Sequence, residues 1–443
     1  MRFSLQPASF VCFTGFTIVL CLSLGCERAR AQSTTPKIEL GPQFTSLTLL
    51  PTDPLGGSVS EAGLGGRVTY NFTDHLAAEA EINLYPNRNV FGGIGEGRAL
   101  QGQFGLKAGK RFRKFGLFAK ARPGFLSFGR VFSYEPGTTL ALFNFTIPNA
   151  RIGRKTHLTT DVGAVLELYP SRRTVVRFDV GDTLIRYGSS FQALNFDPSN
   201  LVRRPAETSH NLQLTAGVAF RFHTAEQDEP ATPKVSSKGV PKYEVGVQFT
   251  SLSRNPPKPI CSDICLFGST DFGPVTEPGF GGRFTYNLTS YIGVEAEANF
   301  LPRDNLNFFG PGGRLFQGQF GAKAGKRFQR FGFFAKARPG FITFTNAKRL
   351  VGTRTQIFPG FDNRVVTFGI FRIGKKAYFS TDVGGVVEFY PSRRVMTRFD
   401  LGDTIIRYSE YAVEGFSLSN PIVRRPAERR HNFQFTAGVG FRF

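Results

Sequence analysis

Residues 210–222, HNLQLTAGVAFRF, alternate strictly. Leu212, Leu214, Ala216, Val218, Phe220 and Phe222 share one face; Asn211, Gln213, Thr215, Gly217, Ala219 and Arg221 share the other. A two-residue period predicts a β-strand with one apolar side. Residues 431–443, HNFQFTAGVGFRF, repeat the pattern. Similar stretches occur at 37–47, 64–73, 76–86, 99–112, 115–128, 157–169 and 174–187, bounded by Gly, Pro, Asn or Arg-rich turns. The connections 73–75, 113–114 and 170–173 are short, whereas 48–63, 87–98, 129–156 and 188–209 are long. The two kinds alternate. The expected fold is therefore all-β: an antiparallel up-and-down transmembrane barrel with tight turns at one end and large loops at the other.

The polar face carries Glu39, Arg67, Glu79, Glu81, Lys107, Arg111, Lys120, Arg122, Asp161, Glu167, Arg177, Asp179 and Arg221. With the apolar face toward lipid, these six acids and seven bases meet inside. Such near-balance suits a narrow interior, because an unpaired buried charge is costly. The competing reading is a soluble sandwich with a polar outer face. One strand breaks the pattern: strict alternation in 174–187 turns Asp182 toward lipid. A bulge at Gly181, and another at Gly402, would turn Asp182 and Arg186 inward. The chain has no Trp, so Tyr70, Phe72, Phe112, Phe115, Tyr169, Phe220 and Phe222 are expected to form the aromatic girdle near the turn end.

The chain states this unit twice. FGLKAGKRFRKFGLFAKARPGF (104–125) matches FGAKAGKRFQRFGFFAKARPGF (320–341) at 18 of 22 positions. The second charged set is Glu244, Arg283, Glu295, Glu297, Lys323, Arg327, Lys336, Arg338, Asp382, Glu388, Arg398 and Asp400. Length differences between the copies fall around 48–63 and 130–156, both expected loops. Repeats thus occupy 36–222 and 242–443, joined by a Pro-, Ser- and charge-rich periplasmic linker at 223–241. Two tandem eight-stranded barrels fit, and so does one sixteen-stranded barrel. The long linker, the separate closing strands and the charge balance of each copy favour two. Pairing of 210–222 with 37–47 means two barrels, and pairing with 242–251 means one.

Residues 1–31 read as a secretory signal peptide, with Gln32 as the first mature residue; lipid attachment at Cys26 is the alternative. Cys261 and Cys265 then remain, and in an exported chain they suit a small disulfide. The formal charge of +22 would suit nucleic acid, but export argues against that partner. Basic residues scattered over turns and strands fit lipid phosphates or anionic glycans better. No mature segment has ~18 consecutive apolar residues, so no spanning helix is expected. Strands can still span.

Both repeats, ending in FQFTAGVGFRF (433–443), resemble bacterial outer-membrane β-barrel proteins of the small OmpA/OmpX/OmpW type, although a tandem arrangement departs from the usual single barrel. The resemblance implies an outer-membrane location. It also implies a last strand read by the barrel-assembly machinery, with Phe441 and Phe443 as the signal. The expected role is structural or surface-binding and non-enzymatic, with no cofactor or metal. Basic outer loops with Arg130, Arg151, Arg154, Lys155, Arg203, Arg204, Arg424 and Arg425 would face outer-membrane lipid, lipopolysaccharide or an external ligand. A porin-like channel for small solutes is the alternative. Less favoured is a lipid-modifying enzyme, with His210 and His431 beside Glu207 and Glu428.

Overall fold

The computed structural model describes residues 36–49, 58–89, 96–142, 145–194, 197–222, 240–255, 274–303, 311–358, 364–417 and 420–443. The expected signal peptide, Cys26, linker residues 223–239 and the Cys261/Cys265 pair lie outside them. Regular structure among the described residues is entirely β-strand. The chain divides into two compact units, with the main boundary between Lys234 and Val235.

The first unit has eight barrel strands: β1 (Ile38–Leu49), β2 (Val59–Asn71), β3 (Leu76–Asn89), β4 (Glu96–Arg111), β5 (Phe115–Leu142), β6 (Phe145–Ser171), β7 (Thr174–Tyr187) and β8 (Glu207–Phe222). Neighbours in sequence pair around the ring. β8 then pairs antiparallel with β1, from Ile38↔Phe222 to Thr48↔Leu212. That pairing closes the barrel and leaves no free edge. The second unit repeats the arrangement with β9 (Tyr243–Arg254), β10 (Val275–Asn287), β11 (Ile292–Leu301), β12 (Gly312–Arg327), β13 (Phe331–Phe358), β14 (Arg364–Phe389), β15 (Val395–Tyr408) and β16 (Phe433–Arg442). β16 closes onto β9 from Glu244↔Arg442 to Ser253↔Phe433. The Phe443 N–H adds a bond to the Tyr243 carbonyl at 2.8 Å. The architecture is two eight-stranded barrels.

The period of two sets the faces. Glu79, Lys120 and Arg177 are buried inside, while Leu158, Leu212, Phe220 and Phe320 stand outside and exposed. This is the inverse of a soluble barrel, whose apolar side fills the core.

Three sequence expectations need correction. First, 129–156 is not a loop. β5 and β6 run together to Leu142↔Phe145, and β13 with β14 to Phe358↔Arg364. Beyond the barrel such a hairpin has no lumen to line, so alternation fades although pairing continues. Residues 188–209 likewise hold a short hairpin, Ser190–Leu194 with Asp197–Arg204.

Second, no bulge occurs at Gly181 or Gly402. Register runs unbroken through both, Gly163↔Gly181↔Gln213 and Gly384↔Gly402↔Gln434. Asp182 stays on the outer face, where the His210 ring and a backbone N–H satisfy it. Gly181 has another reason: a Cβ there would lie 2.2 Å from Asp161 Oδ1. Gly402 stands equally close to Asp382. Both glycines leave room for lumen ion pairs. Gly181→Ala is expected to cost about 1–3 kcal/mol by overpacking. Urea unfolding measures this against Gly188→Ala, where the added methyl meets nothing within 4 Å.

Third, Tyr169 is not a girdle residue. It lies two residues after Glu167 and so faces inward, donating its hydroxyl to Glu167 Oε2 at 2.9 Å. Tyr70, Phe72, Phe112, Phe115, Phe220 and Phe222 are exposed on the outer face.

Candidate functional site: a filled lumen below a basic rim

From the turn end upward, the first lumen fills in tiers. Glu39 accepts from Arg221 Nε at 3.0 Å, and the Arg221 guanidinium lies 4.2 Å over the Tyr169 ring. Lys107 sits between Glu167, its closest partner, and Glu79 at 3.4 Å. Half-buried Arg111 reaches Glu39 and Glu167 at 3.6 Å each. Above them Arg177 binds Glu79 on one side and Asp179 on the other, the latter through Nε at 2.5 Å. Arg122 joins Asp161 at 2.5 Å to Glu81 at 2.6 Å, and Lys120 meets Asp161 at 2.7 Å. These charges come from different strands, so the network ties the ring together across its centre.

An amide tier follows. Arg67 donates to Gln43 at 3.0 Å, Gln43 to Asn83 at 2.8 Å, Asn83 to Gln101 at 3.0 Å, and Gln101 to Gln213 at 2.9 Å. Higher still is an apolar tier that includes Leu47, Tyr85, Leu126, Phe128, Ile185 and Tyr187. His157 is buried against it, 4.7 Å ring to ring from Tyr187.

The second lumen is built alike. Arg398 lies between Glu295 and Asp400, and Arg338 between Glu297 and Asp382. Lys336 meets Asp382 at 2.7 Å, and Lys323 meets Glu388 at 2.5 Å and Glu244 at 3.1 Å. Arg327 reaches Glu244 at 3.2 Å. Buried Arg283 donates to Gln248 at 3.2 Å, below the Gln248–Asn299–Gln317–Gln434 amides. Leu252, Leu301, Leu315, Ile342, Phe344 and Ile406 belong to its apolar tier.

The sequence charges all lie on the inner wall. The amide and apolar tiers were missed. Their signal was present: Leu47, Leu126 and Ile185 keep the parity of Glu39, Arg122 and Arg177 and so face inward.

At the outer rim, His210 Nδ1 is 2.6 Å from Asp182 Oδ2, and His431 Nδ1 is 2.6 Å from Asp403 Oδ2. The carboxylate partners are these aspartates rather than Glu207 or Glu428. No hydroxyl or thiol among the described residues bonds either ring, so no nucleophile–base pair is assembled. Arg203 is exposed and reaches Ser189 Oγ at 3.4 Å; Arg204 is half-buried. Arg424 is exposed, 3.9 Å from Glu410. The Arg425 side chain lies outside the described residues. Phe441 and Phe443 point outward, exposed, on the closing strand.

No protein-family model matches the chain, and no curated protein matches it. Among solved structures it is similar to the N-terminal β-barrel domain of Pseudomonas aeruginosa OprF, at 13% identity and TM-score 0.25, over 42% of this chain and 98% of that one. A Pseudomonas aeruginosa FadL homologue aligns at 10% identity and TM-score 0.27, over 92% and 90% of the two chains. The siderophore receptor PirA from Acinetobacter baumannii aligns at 9% identity and TM-score 0.32, over 93% and 81%.

Proposed function

We propose that this chain is a bacterial outer-membrane protein, a tandem duplication of one barrel, that acts by binding at its outer surface and not by conduction or catalysis. The filled lumen carries this reading. An eight-stranded barrel has an interior just wide enough for side chains. Here ion pairs, amides and apolar groups occupy it in succession, and the Leu47–Tyr187 tier is made of buried side chains.

The outer end supports a binding role. The β5–β6 hairpin continues past the barrel and is braced by the short hairpin after β7, through Tyr134↔Phe191 pairing and an Asn149 bond to the Pro198 carbonyl at 3.0 Å. Arg130, Arg151, Arg154 and Arg203 are exposed there. Rigid scaffolds that present charged loops are ordinary binding surfaces, and anionic lipopolysaccharide is the partner of matching charge. In planar bilayers the full chain is expected to show no steady conductance. Large, stable conductance steps would overturn the reading in favour of a porin.

A further inference from the structure

The outer wall of the second unit carries an arginine pair above an apolar field. Register sets Phe379, Arg407 and Arg429 in one cross-strand row, and all three are exposed. Below them Ile405 lies beside His431, and then Asp403 is paired with Phe433. The His431–Asp403 contact supplies the lower polar edge. Like charges directly opposite each other on one sheet face repel. No carboxylate among the described residues is in ion-pair reach of Arg407 or Arg429. An anion held between the two side chains would relieve that repulsion.

Height along the barrel identifies the anion's setting. About nine to eleven residues of tilted strand cross the hydrocarbon. Counted from Val395 at the turn, that span ends near Ile405. Arg407 and Arg429 therefore stand at headgroup level, with Ile405 and Phe433 beside the acyl chains. The first unit has the same plan with one arginine: Arg186 pairs with Thr208, and His210 with Asp182 lies below.

We propose that this wall binds a phosphorylated glycolipid of the outer leaflet. Its phosphate is clamped between Arg407 and Arg429, whose planar forks match phosphate oxygens, and its acyl chains lie along the field below. The inference rests on the membrane placement proposed above and adds to the basic hairpins a separate lipid site on the barrel wall.

The test uses the full chain in detergent micelles and native mass spectrometry with bis-phosphorylated lipid A and its dephosphorylated form. The phosphorylated lipid is expected to bind at least tenfold more tightly. The Arg407→Gln/Arg429→Gln variant should lose that preference, and Arg113→Gln/Lys114→Gln, exposed in the turn at the opposite end, should keep it. Arg429→Thr copies the first unit's arrangement, so it tests the clamp without risk to folding, and it should reduce the preference several-fold. Equal binding of both lipids, or a preference unchanged in the Arg407/Arg429 variants, overturns the proposal. So does displacement by equimolar inorganic phosphate or phosphatidylglycerol. Bilayer conductance of the same preparation is read separately: a non-conducting chain whose lipid preference survives in the Arg407/Arg429 variants sinks this inference alone, one with no lipid preference sinks lipopolysaccharide binding as a whole, and a conducting one sinks the function proposed above.

Discussion

Arg177→Met is expected to destabilise the first unit by about 3–5 kcal/mol, the usual cost of breaking a buried ion pair by removing one partner. Arg177 is fully buried, with Glu79 and Asp179 on opposite sides. Without it two carboxylates stay in a lumen too narrow to hydrate them freely. Lys107 and Lys120 recover part of the loss, since they lie 3.4 Å from Glu79 and 3.6 Å from Asp179. Removing one carboxylate with it, in Arg177→Met/Glu79→Gln, should restore most of the stability, because the lumen keeps its balance to within one charge and Asp179 still has Lys120 at 3.6 Å. Urea unfolding in lipid vesicles, followed by tyrosine fluorescence, reads both values. Arg398→Met repeats the experiment in the second unit, where Glu295 and Asp400 take the same positions. A loss below about 1 kcal/mol would mean screened, wet charges. That result would count against a filled lumen and therefore against a non-conducting barrel.

The same charges explain why so much of the fold could be read from the sequence. Where one face meets a packed interior and the other lies outside it, every residue is constrained, and parity alone sorts Glu79 from Leu212. Closure was only favoured: the linker, the two closing strands and the charge balance of each copy pointed to two rings, and the Ile38↔Phe222 pairing decides it. The reading weakened where the constraint did. The β5–β6 extension has no lumen to line, so its residues lost the period without losing the strand.

Two errors came from leaving parity too soon. Tyr169 was placed outside for its chemistry although Glu167 fixed its direction. Asp182 was turned inward through a bulge because a lipid-facing carboxylate looked too costly. Its solution is local: His210 and the Asn211 N–H, at 2.6 and 3.1 Å, near the outer end of the span. The tiers inside the lumen depend on which side chains meet across the ring, and one strand read alone does not carry that information. The rim arginines behave likewise. Arg407 and Arg429 lie 22 positions apart in sequence, and only the register makes them neighbours.

Val247→Arg is expected to cost about 2–4 kcal/mol in a bilayer, the range for a cation on the lipid face near mid-depth. Val247 is the fifth residue of β9 counted from Tyr243 at the turn end, hence close to the middle of a span of about nine to eleven residues. Its side chain is 73% exposed in the isolated protein, so no packing against other residues is at stake. On a water-facing surface the same change would fall within about 0.5 kcal/mol. The difference thus measures what surrounds the barrel rather than what fills it. Tyr243→Arg, at the turn-end interface, should cost no more than about 1 kcal/mol, since the penalty fades toward the headgroups. Leu106→Arg in the first unit, exposed and sixth in β4 counted from Arg111 at the turn end, should behave as Val247→Arg does. Equilibrium unfolding of the three variants in vesicles gives the depth profile. A flat profile near zero would place the apolar wall in water, and the ion pairs of the lumen would then need a different explanation from a lipid exterior.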